Sequence, residues 1–301
     1  MTGTGPRRVT LGEAAAIIGH GGAVAMPTET VYGLACDATD GEAVARVYAL
    51  KGRPAFNPLI VHVAGLAAAE ALADFPLIAR ELAKRFWPGP LTLVLPRRDG
   101  ARVAGLVTAG LPTIALRVPA HPLAQALIAA ADRPLAAPSA NASGRISPTR
   151  AEHITLPVPV LDGGPCAAGI ESTIVGIEAG APVLLRPGAI PAEALGNDAR
   201  ARAGQEGVTA PGQLASHYAP RQPVRLDAAT AAAHEFHIGF GPVAGDLTLS
   251  GTGDLAQAAA RLFDALHIAE ASGRVAIAVA PIPQHGLGAA INDRLRRAAA
   301  R

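Results

Sequence analysis

Residues 51–63 read KGRPAFNPLIVHV. Two cations two residues apart, Lys51 and Arg53, lie beside Pro54 and Pro58 and lead into the apolar run Leu59 to Val63. The run reads as a strand. Before it, Val44, Val47 and Leu50 share one face of a helix, which hands the cations to the loop between helix and strand. Helix, cationic loop and strand in that order predict an α/β fold. A lysine and an arginine fixed at the mouth of a strand suit a polyanion: one supplies a point charge, the other a planar fork that takes two oxygens. Only Lys51 and Lys84 are lysines among 26 basic residues, so a compact, mobile ammonium is expected at position 51. The competing reading is a solvated pair at a helix C-terminus, favoured by the helix dipole.

Upstream, Thr10 and Glu13 have capping-box spacing, and Ala14, Ile17 and Ile18 form a helical stripe that ends at Gly21 and Gly22. Ala23 to Met26 read as a short buried strand. PTETVYGLACDA, residues 27–38, follows as a polar turn. Thr28, Glu29 and Thr30 stand just past a strand end, where open α/β sheets bind ligands, although an ordinary strand-to-helix loop has the same look. Thr39 and Glu42 repeat the capping-box spacing. His62, within LIVHV, faces the side of Ile60 by alternation, as a core residue or as a site residue.

Downstream, residues 66–85 read as one helix, and FWPGPLTLVL (86–95) as a turn entering a strand, with Trp87 as a core anchor. Arg117 lies in the apolar strand of VTAGLPTIALRVPAHP (107–122). A buried arginine needs an anionic partner, either a ligand carboxylate or an internal Asp or Glu. LAAPSANASGRISPT (135–149) gathers small and hydroxyl residues that let a phosphate approach closely. LDGGPCAAGIESTIV (161–175) repeats the theme, and VLLRPGAI (183–190) puts Arg186 at a strand end. Periodicity fades from about 191 to 223, a linker that contains an unexpected His-Tyr pair. The remainder alternates strand, helix, strand, helix, with Asp254 as a helix cap, and reads as a small Rossmann-like α/β unit. GTGDLA (251–256) mimics a dinucleotide fingerprint, but Val279 and Ala280 stand where its acidic residue belongs. There is no P-loop and no nucleophile elbow, and His234 and His237 lack metal-ligand spacing.

The composition, 50% hydrophobic and 17% charged, suits a soluble globular protein of one large or two smaller domains. A net charge of +2 is too mild to indicate nucleic acid by bulk charge. Cys36 and Cys166 offer neither a zinc spacing nor a disulfide framework and fit a reducing compartment. The N-terminal segment lacks the apolar core of a signal peptide, and no apolar run reaches the ~18 residues of a spanning helix. A cytoplasmic protein with no membrane association is expected.

Five stretches, PTETVYGL, KGRPAFNPLIVHV, WPGPLTLVL, APSANASGRISPT and DGG…ESTIV…LLRPG, resemble in order and spacing the YrdC-type threonylcarbamoyl-AMP synthases. SHYAP (216–220) and GLGAAINDRLRRAA (286–299) resemble the linker and ending of the long two-domain members. The resemblance implies a twisted mixed sheet with flanking helices and a concave basic cleft over residues 1–195, a linker and lid over 196–223, and the small α/β domain over 224–301. It implies condensation of ATP, L-threonine and bicarbonate or CO2 to L-threonylcarbamoyl-AMP and pyrophosphate. A separate threonylcarbamoyl-transferase complex would then modify an adenosine beside the anticodon of ANN-reading tRNAs.

By motif match, the resemblance puts Lys51, Arg53 and Asn57 on the ATP phosphates, with Lys51 and Arg53 as the catalytic cations. Thr113, Ser139, Asn141, Ser147 and Arg186 would also meet ATP, and Tyr218 would fold over it. Thr30, His62, Arg117, Ala137 and Ser172 would hold threonine, with Arg117 on an anionic group of that substrate. No resident metal site is implied; Mg2+ would arrive with ATP. Two departures stand out. Gly176 follows ESTIV where Asp is common, and LHIAE (266–270) replaces a more usual Leu-Arg start; both put C-terminal packing in question more than chemistry. The rival reading is a module that holds double-stranded RNA, and weak RNA binding beside the reaction stays open. A third reading, a carbamoyltransferase of hydrogenase maturation, lacks its acylphosphatase and zinc-finger parts.

Overall fold

In the computed structural model of the chain the described residues are 6–196, 200–201, 212 and 216–300. Helix α1 (Leu11–Gly19) opens the fold with the expected capping box: Thr10 Oγ1 accepts from the Glu13 N–H while the Glu13 carboxylate takes the Thr10 N–H. Strand β1 (Val24–Met26) then pairs antiparallel with β2 (Gly33–Asp37). The sequence reading had folded β2 into a polar loop. Its five residues are buried on both faces, so GLACD shows no alternation to betray it.

Helix α2 (Gly41–Lys51) is capped one residue later than Thr39 predicts: Asp40 accepts from the N–H groups of Glu42 and Ala43. Thr39 instead hydrogen-bonds the Asp37 carboxylate. The single helix expected over 66–85 is two, α3 (Leu66–Glu70) and α4 (Leu77–Phe86). Pro76 separates them, since it lacks an N–H and keeps Phe75 extended. Trp87 is half-buried, edge-on to Phe75.

The other strands of the first sheet are β3 (Ile60–His62), β4 (Leu91–Pro96), β5 (Thr113–Arg117), β6 (Leu135–Ala136), β7 (Thr173–Glu178), β8 (Ala181–Arg186) and β9 (Arg200–Ala201). Among the described residues they form one mixed sheet in the order β1-β2-β6-β3-β5-β4-β7-β8-β9. Helix α5 (Pro122–Ala131) joins α1 over Val24, Met26, Ala35 and Leu135. Helices α2 and α4 cover Leu34, Val61, Leu93 and Leu116 on the opposite face. Next to the α1–α5 layer, Ile60, Val94, Ala115 and Ile174 make a small apolar floor, and the functional cleft opens above it.

The expected linker, 196–223, lies largely outside the described residues. Within it, Arg200–Ala201 pairs parallel to β8. Strands β10 (Val224–Arg225), β11 (Glu235–Gly239), β12 (Leu247–Thr248) and β13 (Ala276–Val279) then form an all-parallel sheet, ordered β10-β13-β11-β12. Helices α6 (Leu255–Ala271) and α7 (Leu287–Ala299) pack on it through Leu262, Leu266, Ile291 and Leu295. Asp254 caps α6 with its own carboxylate, which occupies the turn that GTGDLA would offer a pyrophosphate. This core continues onto Val31, Ile146 and Ile170 of the first unit. The LHIAE departure falls at that junction: His267 stacks on His153 with centroids 3.9 Å apart, and Glu270 pairs with Arg145. Its contacts therefore reach the first unit rather than the C-terminal unit alone. No described helix is long and apolar enough to cross a membrane.

Candidate active site

Helix α2 ends at Lys51, and Gly52 turns the chain at φ 60, a left-handed cap that suits glycine. Lys51 is only 3% exposed, so the solvated-pair reading fails. The expected mobile ammonium is corrected too. Nζ donates to the Ser139 carbonyl at 2.6 Å and to the Asn141 carbonyl, which pins the Ser/Asn loop to the end of α2. Burial, and then the neighbouring Arg53, push its pKa well below the usual lysine range.

Arg53 is clamped from behind. Its Nε donates to the Asn57 carbonyl, and Nη2 donates to Asn57 Oδ1 and the Pro58 carbonyl, both at 2.7 Å. The guanidinium thereby faces a cleft that Thr30, His62, Arg117 and Ser172 also line. Burial lowers its pKa to about 10, which leaves it charged near neutrality. Across the cleft, Arg186 at the end of β8 donates to the carbonyl and hydroxyl of Ser172 and lines the same space.

The third cleft arginine has an internal partner. Arg117, at the end of β5, donates to Glu29 Oε1 at 2.6 Å and to Thr30 Oγ1 at 2.9 Å. Glu29 also accepts from the Ala120 N–H. Burial pushes the Glu29 carboxyl up, but the charge and hydrogen bond of Arg117 outweigh it, and the net shift is downward. The alternative left open by sequence is thus resolved toward an internal carboxylate in this state. Sequence named the PTET loop but missed Glu29 as the partner. His62 lies one strand over with Arg117 as its register partner, and burial followed by Arg117 lowers its pKa to about 3.

The roof comes from the His-Tyr pair. Tyr218 is 1% exposed and sits at φ 62, a region costly for a bulky side chain that surrounding contacts must enforce. Its ring packs against His217 and Phe263, and the Arg294 guanidinium lies 5.2 Å from its centroid. Burial lowers the His217 pKa to about 3. His62 Nδ1, His217 Nδ1 and the Tyr218 hydroxyl all belong to cleft-lining residues and have no partner among the described residues. Buried polar atoms are nearly always paired, so three such atoms around one space mark a site for a polar ligand.

All five residues expected for threonine, Thr30, His62, Arg117, Ala137 and Ser172, line the cleft. So do Arg53, Ser139, Arg186 and Tyr218 of the nucleotide set. Lys51, Asn57, Asn141 and Ser147 lie behind the lining: Asn141 braces the Ala142 and Arg145 carbonyls, and Ser147 donates to Glu171. Thr113 is not brought to the lining. It begins β5, four residues and roughly 13 Å of strand from Arg117. Glu171 and Arg294 were not foreseen as site residues. Both sit in quoted motifs, but nothing in the sequence shows that α7 meets the ESTIV loop. Among the described residues no His/Cys/Asp/Glu cluster could hold a metal ion.

A family model described as "Telomere recombination", that of the Sua5/YciO/YrdC proteins, matches residues 16–188. The chain belongs to the Sua5/YciO/YrdC family. A second model, the C-terminal domain of threonylcarbamoyl-AMP synthase, matches residues 177–300 and shows the long form. The threonylcarbamoyl-AMP synthase of Pyrococcus abyssi is 39% identical, with 95% of this chain and 92% of that protein covered. The protein of that name from Bacillus subtilis is 44% identical over 72% of this chain and 66% of its own length. The solved structure of P. abyssi Sua5 complexed with L-threonine superposes with a TM-score of 0.87 at 37% identity, covering 97% of this chain and 96% of that one. These matches bear out the enzyme and the fold expected from the motifs.

Proposed function

We propose that this chain condenses L-threonine, bicarbonate or CO2 and ATP into L-threonylcarbamoyl-AMP and pyrophosphate, the adenylate being consumed by a separate threonylcarbamoyl-transferase that modifies tRNA. One observation carries the reading: two arginines, Arg53 and Arg186, line one small, roofed cleft together with Thr30, His62, Arg117 and Ser172. The threonine amine and CO2 give a carbamate. One carbamate oxygen bonds the α-phosphorus, the bond from that phosphorus to the bridging oxygen breaks, and pyrophosphate leaves. Two anions must approach each other, so fixed positive charge and orientation are the main requirements. Arg53 and Arg186 meet the triphosphate, whose Mg2+ is bound by phosphate oxygens and water. Thr30, Arg117 and Ser172 orient threonine beside neutral His62. Lys51 keeps the Ser139–Asn141 loop in place beneath the nucleotide, and Tyr218 excludes water. A narrow cleft roofed by Tyr218 and lined by buried side chains suits small anionic molecules better than an RNA duplex. Mass spectrometry of products from ATP, L-threonine and bicarbonate tests the proposal. Threonylcarbamoyl-AMP and pyrophosphate should form only when all three are present; pyrophosphate release indifferent to threonine or bicarbonate would overturn it.

A further inference from the structure

Helix α7 carries a buried arginine to the back of the cleft. Arg294 has no exposed surface. Its Nε donates to Glu171 Oε2 at 2.7 Å, and Nη1 donates to Asp293 and to the Pro187 carbonyl, both at 2.8 Å. Asn292, two residues earlier, donates to the carbonyls of Ile282, Pro283 and Gly288 and so fixes the start of the helix. The placement of Arg294 is therefore set by the C-terminal unit, while its partner belongs to the first.

Glu171 is the unusual member of this network. It is a carboxylate lining a cleft whose other charged members, Arg53, Arg117 and Arg186, are cations. Its second oxygen accepts from Ser147 at 2.6 Å. Burial opposes its ionisation, but the charges of Arg294 and then Arg186 prevail, so it stays an anion. A buried anion near Arg186 competes directly with an incoming triphosphate for that guanidinium. Ser147 holds one of its oxygens, and the charge that draws it the other way is Arg294.

We propose that Arg294 is a positioning residue that commits the Glu171 carboxylate to the back of the cleft, so that Arg186 and Arg53 stay presented to the triphosphate of ATP. This rests on the ATP-dependent reading above. It gives the C-terminal unit a part in nucleotide binding: docking of α7 sets the charge balance of a site built in the other unit. The Arg294 guanidinium also lies under the Tyr218 ring, so the same docking supports the roof.

The test is the sign of two substitutions, read by calorimetric titration of the full chain with MgATP and, separately, with L-threonine. If Arg294 acts through the charge of Glu171, Arg294→Met raises the Kd for MgATP about tenfold, the ratio one partly screened charge contact is worth. Glu171→Gln, which removes the competing anion, leaves that Kd unchanged or lowers it about threefold. The double variant returns to within about threefold of wild type. The Kd for threonine stays within about twofold throughout, because Arg117 keeps its own partner in Glu29. A strut with no electrostatic part predicts otherwise: both single variants weaken MgATP, and neither rescues the other. That result overturns the inference, as does an equal loss of threonine affinity. Should Arg294→Met fail to fold, Glu171→Gln decides alone, and tenfold weaker MgATP binding there rejects the idea. A wild-type chain that does not bind MgATP sinks the functional reading and this one with it. A wild type that turns over, beside two variants of like sign, sinks this one alone.

Discussion

The two walls of the cleft use their side chains differently. On the side proposed for threonine, Thr30, His62, Arg117 and Ser172 all line the space. On the side proposed for the nucleotide, Lys51, Asn57, Asn141 and Ser147 hold backbone or neighbours while Arg53 and Arg186 line the space. The first wall stands mainly on strand ends, β3, β5 and the start of β7. Alternation there leaves a side chain two directions, and the apolar core takes one. The second wall stands mainly on loops, with Lys51 at the end of α2 and Arg186 at the end of β8. There the same residue types must first satisfy buried carbonyls and amides before any of them can meet a ligand. A strand-end wall turns its side chains to the space; a loop wall spends half of them on keeping its own shape.

The sharpest way to break this comparison is at Arg117. Arg117→Ala removes a 4%-exposed cation and strands Glu29 without its partner. Losing one member of a buried pair costs about 3–5 kcal/mol. We expect a clear drop in thermal midpoint together with loss of threonine binding, whereas Arg117 and Glu29 replaced together should recover most of the stability and none of the binding. A single variant as stable as wild type would mean that the pair is not buried in solution.

Arg53→Ala should behave in the opposite sense. Its clamp on Asn57 and Pro58 is local, so the fold should hold while turnover falls. A hydrogen bond to a charged group is worth roughly 1.5–3 kcal/mol, or about ten- to hundredfold in steady-state rate. Undiminished turnover would remove Arg53 from the chemistry.

How far the sequence could be read follows the same division. Helix α1 was legible because its cap and apolar stripe are local. The cations at 51 and 53 were legible because their contrast with an arginine-rich chain is visible in one dimension. Strand β2 was hidden, since burial on both faces erases the period of two. The cap of α2 was misplaced by one residue because Thr39, Asp40 and Glu42 all carry capping chemistry, and only geometry selects Asp40. The inward turn of Lys51 onto two carbonyls, the capture of Arg117 by Glu29 and the meeting of Arg294 with Glu171 are long-range. They join residues 88, 88 and 123 positions apart, and no local pattern encodes them.

Acid offers a finer comparison, because each side of the cleft holds one neutral histidine. His62 and His217 both have pKa values lowered to about 3, chiefly by burial. In the unfolded chain each titrates near 6.5. Between pH 6.5 and about 3 the unfolded state therefore binds more protons than the folded one, and stability falls as pH falls through that window. Each histidine should cost about 2 kcal/mol between pH 7 and pH 5. Proton uptake on unfolding at pH 5, taken from the pH dependence of the denaturation midpoint, should drop by about one in His62→Gln and by about one in His217→Gln. Unchanged uptake in either variant would show that histidine to be solvated and its side of the cleft open.

The smallest effect expected is at the roof, and it separates packing from recognition. The Tyr218 ring is buried against His217 and Phe263, yet its hydroxyl has no partner among the described residues. Tyr218→Phe keeps the ring and its contacts, so the thermal midpoint should stay within the ±0.5 kcal/mol typical of neutral changes. If the hydroxyl serves only to fill space, MgATP affinity will also stand still. If it closes on the nucleotide, affinity should fall by several-fold, the worth of one net hydrogen bond at about 1 kcal/mol, with stability untouched. Titration of Tyr218→Phe with MgATP, beside its melting curve, distinguishes the two. We expect the second outcome, because a bulky residue held at positive φ, its buried hydroxyl without a partner among the described residues, is costly to maintain for packing that phenylalanine would supply equally well.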